Sequence, residues 1–167
     1  TKYGIKGIHI DDYFYPEAIE NEDEKQYEKY KKDGGKKSLG DWRRENVNSL
    51  ISAIYLKVKS FGEDKIFSVS PCGDAEKNYS QLYADVKLWC KGGYCDIVLP
   101  QIYFGFDNEN LPFKKCLDEW LSITDSEKVS LIPGLALYKC GKEDEYAGKG
   151  KGEWQENSDI ISRQVKL

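Results

Sequence analysis

Methionine is absent from the 167-residue chain, and histidine occurs once, as His9. A single imidazole gives a metal site little to work with, since such sites usually gather several. The five cysteines are an odd count, and Cys72, Cys90, Cys95, Cys116 and Cys140 match no zinc spacing. Cys90 and Cys95 flank a Gly-Gly turn, but one would end a helix and the other enter a strand. Free buried thiols, behaving as small hydrophobes, are the expectation. No run approaches the roughly 18 apolar residues of a membrane span, and no signal peptide opens the chain. Basic excess is also missing: the net charge of -4 leaves no footprint for nucleic acid. What is there, 40% hydrophobic and 32% charged residues, is globular with a polar surface. The opening Thr1-Lys2-Tyr3-Gly4 runs almost at once into a strand. With no methionine anywhere, we expect an internal piece of a longer protein, so a missing leader says nothing about where the parent resides.

The stretch Gly7-Ile8-His9-Ile10-Asp11-Asp12-Tyr13-Phe14-Tyr15-Pro16 is a short apolar run ending in two carboxylates and three aromatics. In a strand, side chains alternate between faces. Ile8, Ile10 and Asp12 then share one face, and Gly7, His9 and Asp11 the other. This pattern fits a parallel barrel strand whose isoleucines pack outward on helices. Gly7 and His9 would point inward, and Asp11 would emerge at the carboxyl end, where barrel sites are built.

These residues resemble the signature of the glycosyl-hydrolase-like 10 family, TIM-barrel proteins, largely bacterial, with roles in cell-wall glycan cleavage. Three further segments match that family in the same order. They are Gly40-Asp41-Trp42-Arg43-Arg44-Glu45-Asn46-Val47-Asn48, Ser68-Val69-Ser70-Pro71 and Leu99-Pro100-Gln101-Ile102-Tyr103-Phe104. The Gly-x-His-x-Asp spacing is also similar to the fourth-strand Gly-x-Arg-x-Asp pattern of amylase-type barrels, whose aspartate is the nucleophile. The resemblance implies a polysaccharide or oligosaccharide substrate, no cofactor, and an extracytoplasmic location, in the cell envelope or secreted.

Along the chain, a long polar connection from Tyr13 to Leu39 should contain a short helix over Glu22 to Lys32. A barrel loop of this length is uncommon unless functional or disordered. Tyr13, Phe14 and Tyr15 are candidates to stack on sugar rings. Asp41 reads as the N-cap of a helix running to about Phe61, with Val47, Leu50, Ile51, Ile54 and Val58 as its apolar stripe. Arginines at a helix start oppose the macrodipole, so Arg44 is either held by Asp12 or exposed. Lys65–Pro71 should be a strand, Asn78–Cys90 a helix ended by Gly92-Gly93, and Asp96–Phe104 a third strand. Phe113–Ile123 should be a helix, Lys128–Tyr138 a fourth strand, and a last helix should follow a cap at Asn157 or Ser158. Strand-helix alternation repeated four times implies parallel strands with right-handed crossovers.

The fold class is therefore α/β. Compared with the family, residues 1–167 look like a single fragment of a (β/α)8 TIM barrel, about strand four through helix seven, with the remainder supplied by the parent chain. Two open sheet edges would make such a fragment prone to association.

Glycoside hydrolysis usually needs two carboxyl groups. Asp11 and Asp12 are adjacent and would point to opposite faces, so Asp11 is the candidate facing the sugar, as nucleophile or base. Asp12 would anchor the loop or Arg44. His9 either hydrogen-bonds Asp11 or is a satisfied core histidine. Gln101 and Tyr103 are either sugar-hydroxyl partners or core hydrogen-bonders, and Trp154 is a further candidate for substrate binding. The second strand ends without a carboxylate, so the general acid is expected from Asp74, Asp107 or the missing part of the parent. Catalytically silent carbohydrate binding is a competing reading, as is a metal-dependent hydrolase built on His9, Asp11 and Asp12.

Overall fold

A computed structural model describes residues 3–11, 14–15, 22–124 and 128–167. Asp12 and Tyr13 lie outside the described residues, so the expectations placed on them are not addressed by it. Strands β1 (Gly7–Ile10), β2 (Ile66–Val69), β3 (Ile97–Val98) and β4 (Ser130–Leu131) form one parallel sheet in the order β1-β2-β3-β4. Every chain neighbour is thus a spatial neighbour, as consecutive parallel strands commonly are. Single bridges from Cys72 to Gln101 and from Gln101 to Gly134 carry the pairing toward the carboxyl ends.

Strand register sets the two faces. Ile8 pairs with Phe67 and Ile10 with Val69, while His9 pairs with Ser68. Phe67 and Val69 are fully buried, and Ile10 packs on the same core, so the apolar residues face the helices as their alternation requires. The other face carries His9 and Ser68, whose Nδ1 and Oγ share a hydrogen bond at 2.8 Å. β1 is an edge strand among the described residues, and Ile8 is half exposed there.

The helix layer comprises α1 (Glu24–Lys32), α2 (Leu39–Lys59), α3 (Ala75–Ser80), α4 (Val86–Gly92), α5 (Phe113–Ile123), α6 (Glu153–Glu156) and α7 (Ile160–Gln164). The cap of α2 is Ser38 instead of Asp41. Its hydroxyl accepts the Asp41 amide and donates to the Asp41 carboxylate, a reciprocal capping arrangement one turn earlier than expected. Val47, Ile51 and Val58 bury as the stripe predicts, but Leu50 is exposed.

The single helix expected over Asn78–Cys90 is two. Tyr83, at φ +52°, takes the left-handed conformation that costs a non-glycine residue about 1–2 kcal/mol, and Asp85 restarts the helix by capping Leu88. Gly93, at φ +68°, supplies the left-handed stop for α4. The third and fourth strands are shorter than expected. Beyond β3 the chain tightens, with the Ile102 amide on the Pro100 carbonyl and the Tyr103 amide on that of Gln101. Beyond β4, Leu137–Lys139 is a 3-10 turn. α5 has the bounds expected of it, and its Trp120 donates to the Gly73 carbonyl at 2.8 Å. The last helix is preceded by Asp159, without a side-chain cap.

No disulfide joins any of the five cysteines; Cys90, Cys95 and Cys116 are buried. Burial pushes the Cys90 and Cys95 thiols up to about 12. Among the described residues no helix is long and apolar enough to cross a membrane.

Candidate functional site at the carboxyl ends of the strands

The carboxyl ends bring Asp11, Ser70, Gln101 and Tyr103 together. Gln101 donates its amide to Asp11 Oδ1 at 2.6 Å and to the Ser70 carbonyl at 3.3 Å. Ser70 in turn donates its hydroxyl to the Leu99 carbonyl at 2.8 Å, tying β2 to β3 beneath the site. Gly73 permits this approach, because an added Cβ would press on the Gln101 carbonyl and stand 3.0 Å from Ile102 Cα. The Tyr103 hydroxyl is pushed up by burial, and further by the negative charge of Asp11 and by Tyr138. Tyr138 meets Tyr103 edge to face, with ring centroids 5.9 Å apart.

Next to Gln101 and Tyr103 lies a cavity of about 340 Å³, lined also by Asn108, Asn110, Leu111, Lys139, Asp144 and Tyr146. Lys139 bridges the Tyr103 carbonyl at 2.8 Å and the buried Asp144 carboxylate at 2.6 Å. A larger groove, about 830 Å³, runs between α2 and α4 on the helix side of the sheet. In open parallel sheets ligands bind outside the carboxyl ends of the strands, so the smaller cavity beside Asp11 is the better candidate.

Several candidates go elsewhere. His9 engages Ser68 through Nδ1 rather than bonding Asp11. Arg44 pairs with Asp41 at 2.7 Å, donates to the Tyr79 carbonyl and lies 4.1 Å over the Tyr79 ring, in the helix-side groove. The buried arginine is its neighbour. Arg43 grips Asp23 with two bonds, at 2.8 and 2.6 Å, and donates to the Tyr83 hydroxyl at 2.9 Å. Tyr15 also donates to Asp23 and meets Tyr83 edge to face, while Phe14 packs on Trp89. These two aromatics therefore turn toward the helix layer and are not free platforms for a sugar. Burial first, and then the bond to Asp23, push the Tyr15 hydroxyl up to about 12.

Trp154 is 1% exposed and packs with Ala136 and Ile160 in a small core. Of the loop acids, Asp74 caps α3 by accepting the Glu76 and Lys77 amides. Asp107 is exposed, its amide held by the buried Glu153. Among the described residues no group of three or more His, Cys, Asp or Glu side chains is placed to hold a metal ion. Sequence reasoning overlooked Tyr138, Tyr146 and the Lys139–Asp144 pair. Their signal was a Gly- and Lys-rich loop directly after the fourth strand.

A parallel four-stranded sheet joined by helices places the chain in the α/β class of folds. The chain belongs to the glycosyl hydrolase-like 10 family, whose family model matches residues 1–149. It is 34% identical over 155 residues to "Glycosyl hydrolase YngK" of Bacillus subtilis (strain 168), covering 82% of this chain and 30% of that protein. It is 28% identical over 185 residues to "Glycosyl hydrolase DigH" of Escherichia coli (strain K12), covering 100% of this chain and 41% of that protein. The chain thus spans less than half the length of these curated relatives.

Proposed function

We propose that this chain is part of a (β/α)8 barrel, about strand four through helix seven, that hydrolyses O-glycosidic bonds of a bacterial cell-wall or related polysaccharide. Asp11 is the carboxylate facing the sugar. The observation that carries this reading is the Gln101–Asp11 bond at the strand ends, on the polar face of a sequentially ordered parallel sheet. The family and the relatives' names support a glycosidase and a carbohydrate substrate.

In this reading Asp11 either attacks the anomeric carbon, forming a glycosyl-enzyme ester that water later cleaves, or takes a proton from the attacking water. Each route needs a second carboxyl group to protonate the departing glycosidic oxygen, about 5–5.5 Å away for the first and about 6.5–9.5 Å for the second. We assign that acid to the part of the parent chain not contained in these 167 residues, which also closes the sheet next to β1. A cell-wall substrate goes with an exported or envelope location.

Asp11→Asn in the full-length parent should abolish reducing-end release from cell-wall glycan, by about a thousandfold or more, while glycan pull-down persists. Unchanged release would remove Asp11 from catalysis. Binding without turnover is the second reading, favoured by the commitment of Asp74 to a helix cap. It predicts no reducing-end release from the unaltered parent protein.

A further inference from the structure

We propose that the cavity between Tyr103 and Tyr146 is a binding subsite for one hexopyranose unit of the same glycan, displaced along the chain from the sugar at Asp11, with Tyr146 as its stacking platform. This deepens the glycosidase reading and rests on it.

The cavity has the right size and chemistry. At about 340 Å³ it stands at the small end of ligand clefts, enough for one sugar ring with a substituent. Asn110 and Lys139 line it as polar groups, and Leu111 and Phe104 as apolar ones, the mixture that a ring with hydroxyls on its edge and C–H groups on its faces requires. Gln101 belongs to both places at once: it lines the cavity and its amide holds Asp11. A glycan crossing Asp11 therefore has its neighbouring unit delivered here.

Tyr146 supplies the second feature of the subsite. It is 91% exposed, an unusual position for a large ring. Yet the loop that displays it is fixed on both sides. Its neighbour Ala147 is buried and donates its amide to the Asp144 carbonyl, while the Ala147 carbonyl accepts the Glu109 amide. Asp144 is buried and paired with Lys139, and its amide bonds the Lys151 carbonyl. Lys149 pairs with Glu109 at 3.0 Å. A ring presented on such an immobilised loop loses little conformational freedom on contact, the condition under which an aromatic contributes most to affinity. Its electron-rich face suits the polarised C–H groups of a pyranose.

The test uses the full-length parent carrying Asp11→Asn, so that turnover does not intervene, with calorimetric titration of soluble cell-wall glycan fragments of two and of six sugar units. Tyr146→Ala should weaken the six-unit fragment about tenfold and the two-unit fragment less than twofold. Tyr146→Phe should bind both as the parent does, since stacking needs the ring and not the hydroxyl. Equal affinities with Ala, or Phe as weak as Ala, would overturn the subsite. Failure of the catalytic reading is separate: it would show as reducing-end release persisting in Asp11→Asn, whatever Tyr146 does to binding.

Discussion

The side-chain amide of Gln101 reaches from the end of the third strand to the carboxylate of Asp11 at the end of the first, at 2.6 Å. A bond to an ionised acceptor is roughly twice as strong as a neutral one, and this one fixes a carboxylate oxygen that stands outside regular secondary structure. Gln101→Leu in the full-length parent should lower kcat for glycan hydrolysis by about tenfold to a hundredfold, the equivalent of about 1.5–3 kcal/mol, with little change in KM. Steady-state reducing-end assays check this. An unaltered kcat would mean that Asp11 is oriented by other groups.

The Arg43–Asp23 pair joins α2 to the start of α1, with side-chain exposures of only 4% and 12%. Removing one member leaves the other charge buried, so Arg43→Ala should cost about 3–5 kcal/mol in denaturant unfolding. The pair also has a pH signature. The bonds from Arg43 hold the Asp23 carboxyl below its ordinary value, against the opposing effect of burial. A depressed folded-state value means stability that is complete above about pH 4, the unfolded value, and is lost as pH falls further. Asp23→Asn should therefore flatten part of the acid limb of the stability curve. An acid limb identical in slope to that of the unaltered protein would count against the pair.

Trp154 belongs to the small core of Ala136 and Ile160, beyond the fourth strand. Trp154→Ala should destabilise by about 3–5 kcal/mol, the cost of emptying a large buried site. Below its melting temperature the variant should still bind glycan with the affinity of the parent. A selective loss of binding with no change in thermal stability would assign Trp154 to the substrate site.

Much of the fold was legible because periodicity and burial agree. α5 keeps its expected bounds since Phe113, Cys116, Leu117 and Trp120 fall on one face. The face assignment of β1 follows from its alternation, and Asp11 emerges beside Gln101 as that alternation implies. The failures have equally local causes. The split between α3 and α4 depends on Tyr83 in a left-handed conformation, which composition does not advertise but which the Arg43–Tyr83 bond supports. Of the two arginines at the start of α2, Arg43 is the buried one. Arg43 stands four residues before Val47, on the same stripe that continues to Ile51, so helical spacing alone pointed to it. The shortness of β3 reflects turns at Ile102 and Tyr103 that override local strand propensity. The cavity by Tyr146 was out of reach because it is assembled from three separate loops.

The strand order β1-β2-β3-β4 has a consequence for how the molecule comes into being. Each strand docks on the one translated just before it, so every new layer finds its template already made as the chain leaves the ribosome. Only the first pairing must wait for a long excursion, through α1 and α2, to be completed. Delay in biosynthesis should therefore concentrate at the strand that carries Asp11, which is the last to be secured and the one on which the chemistry depends.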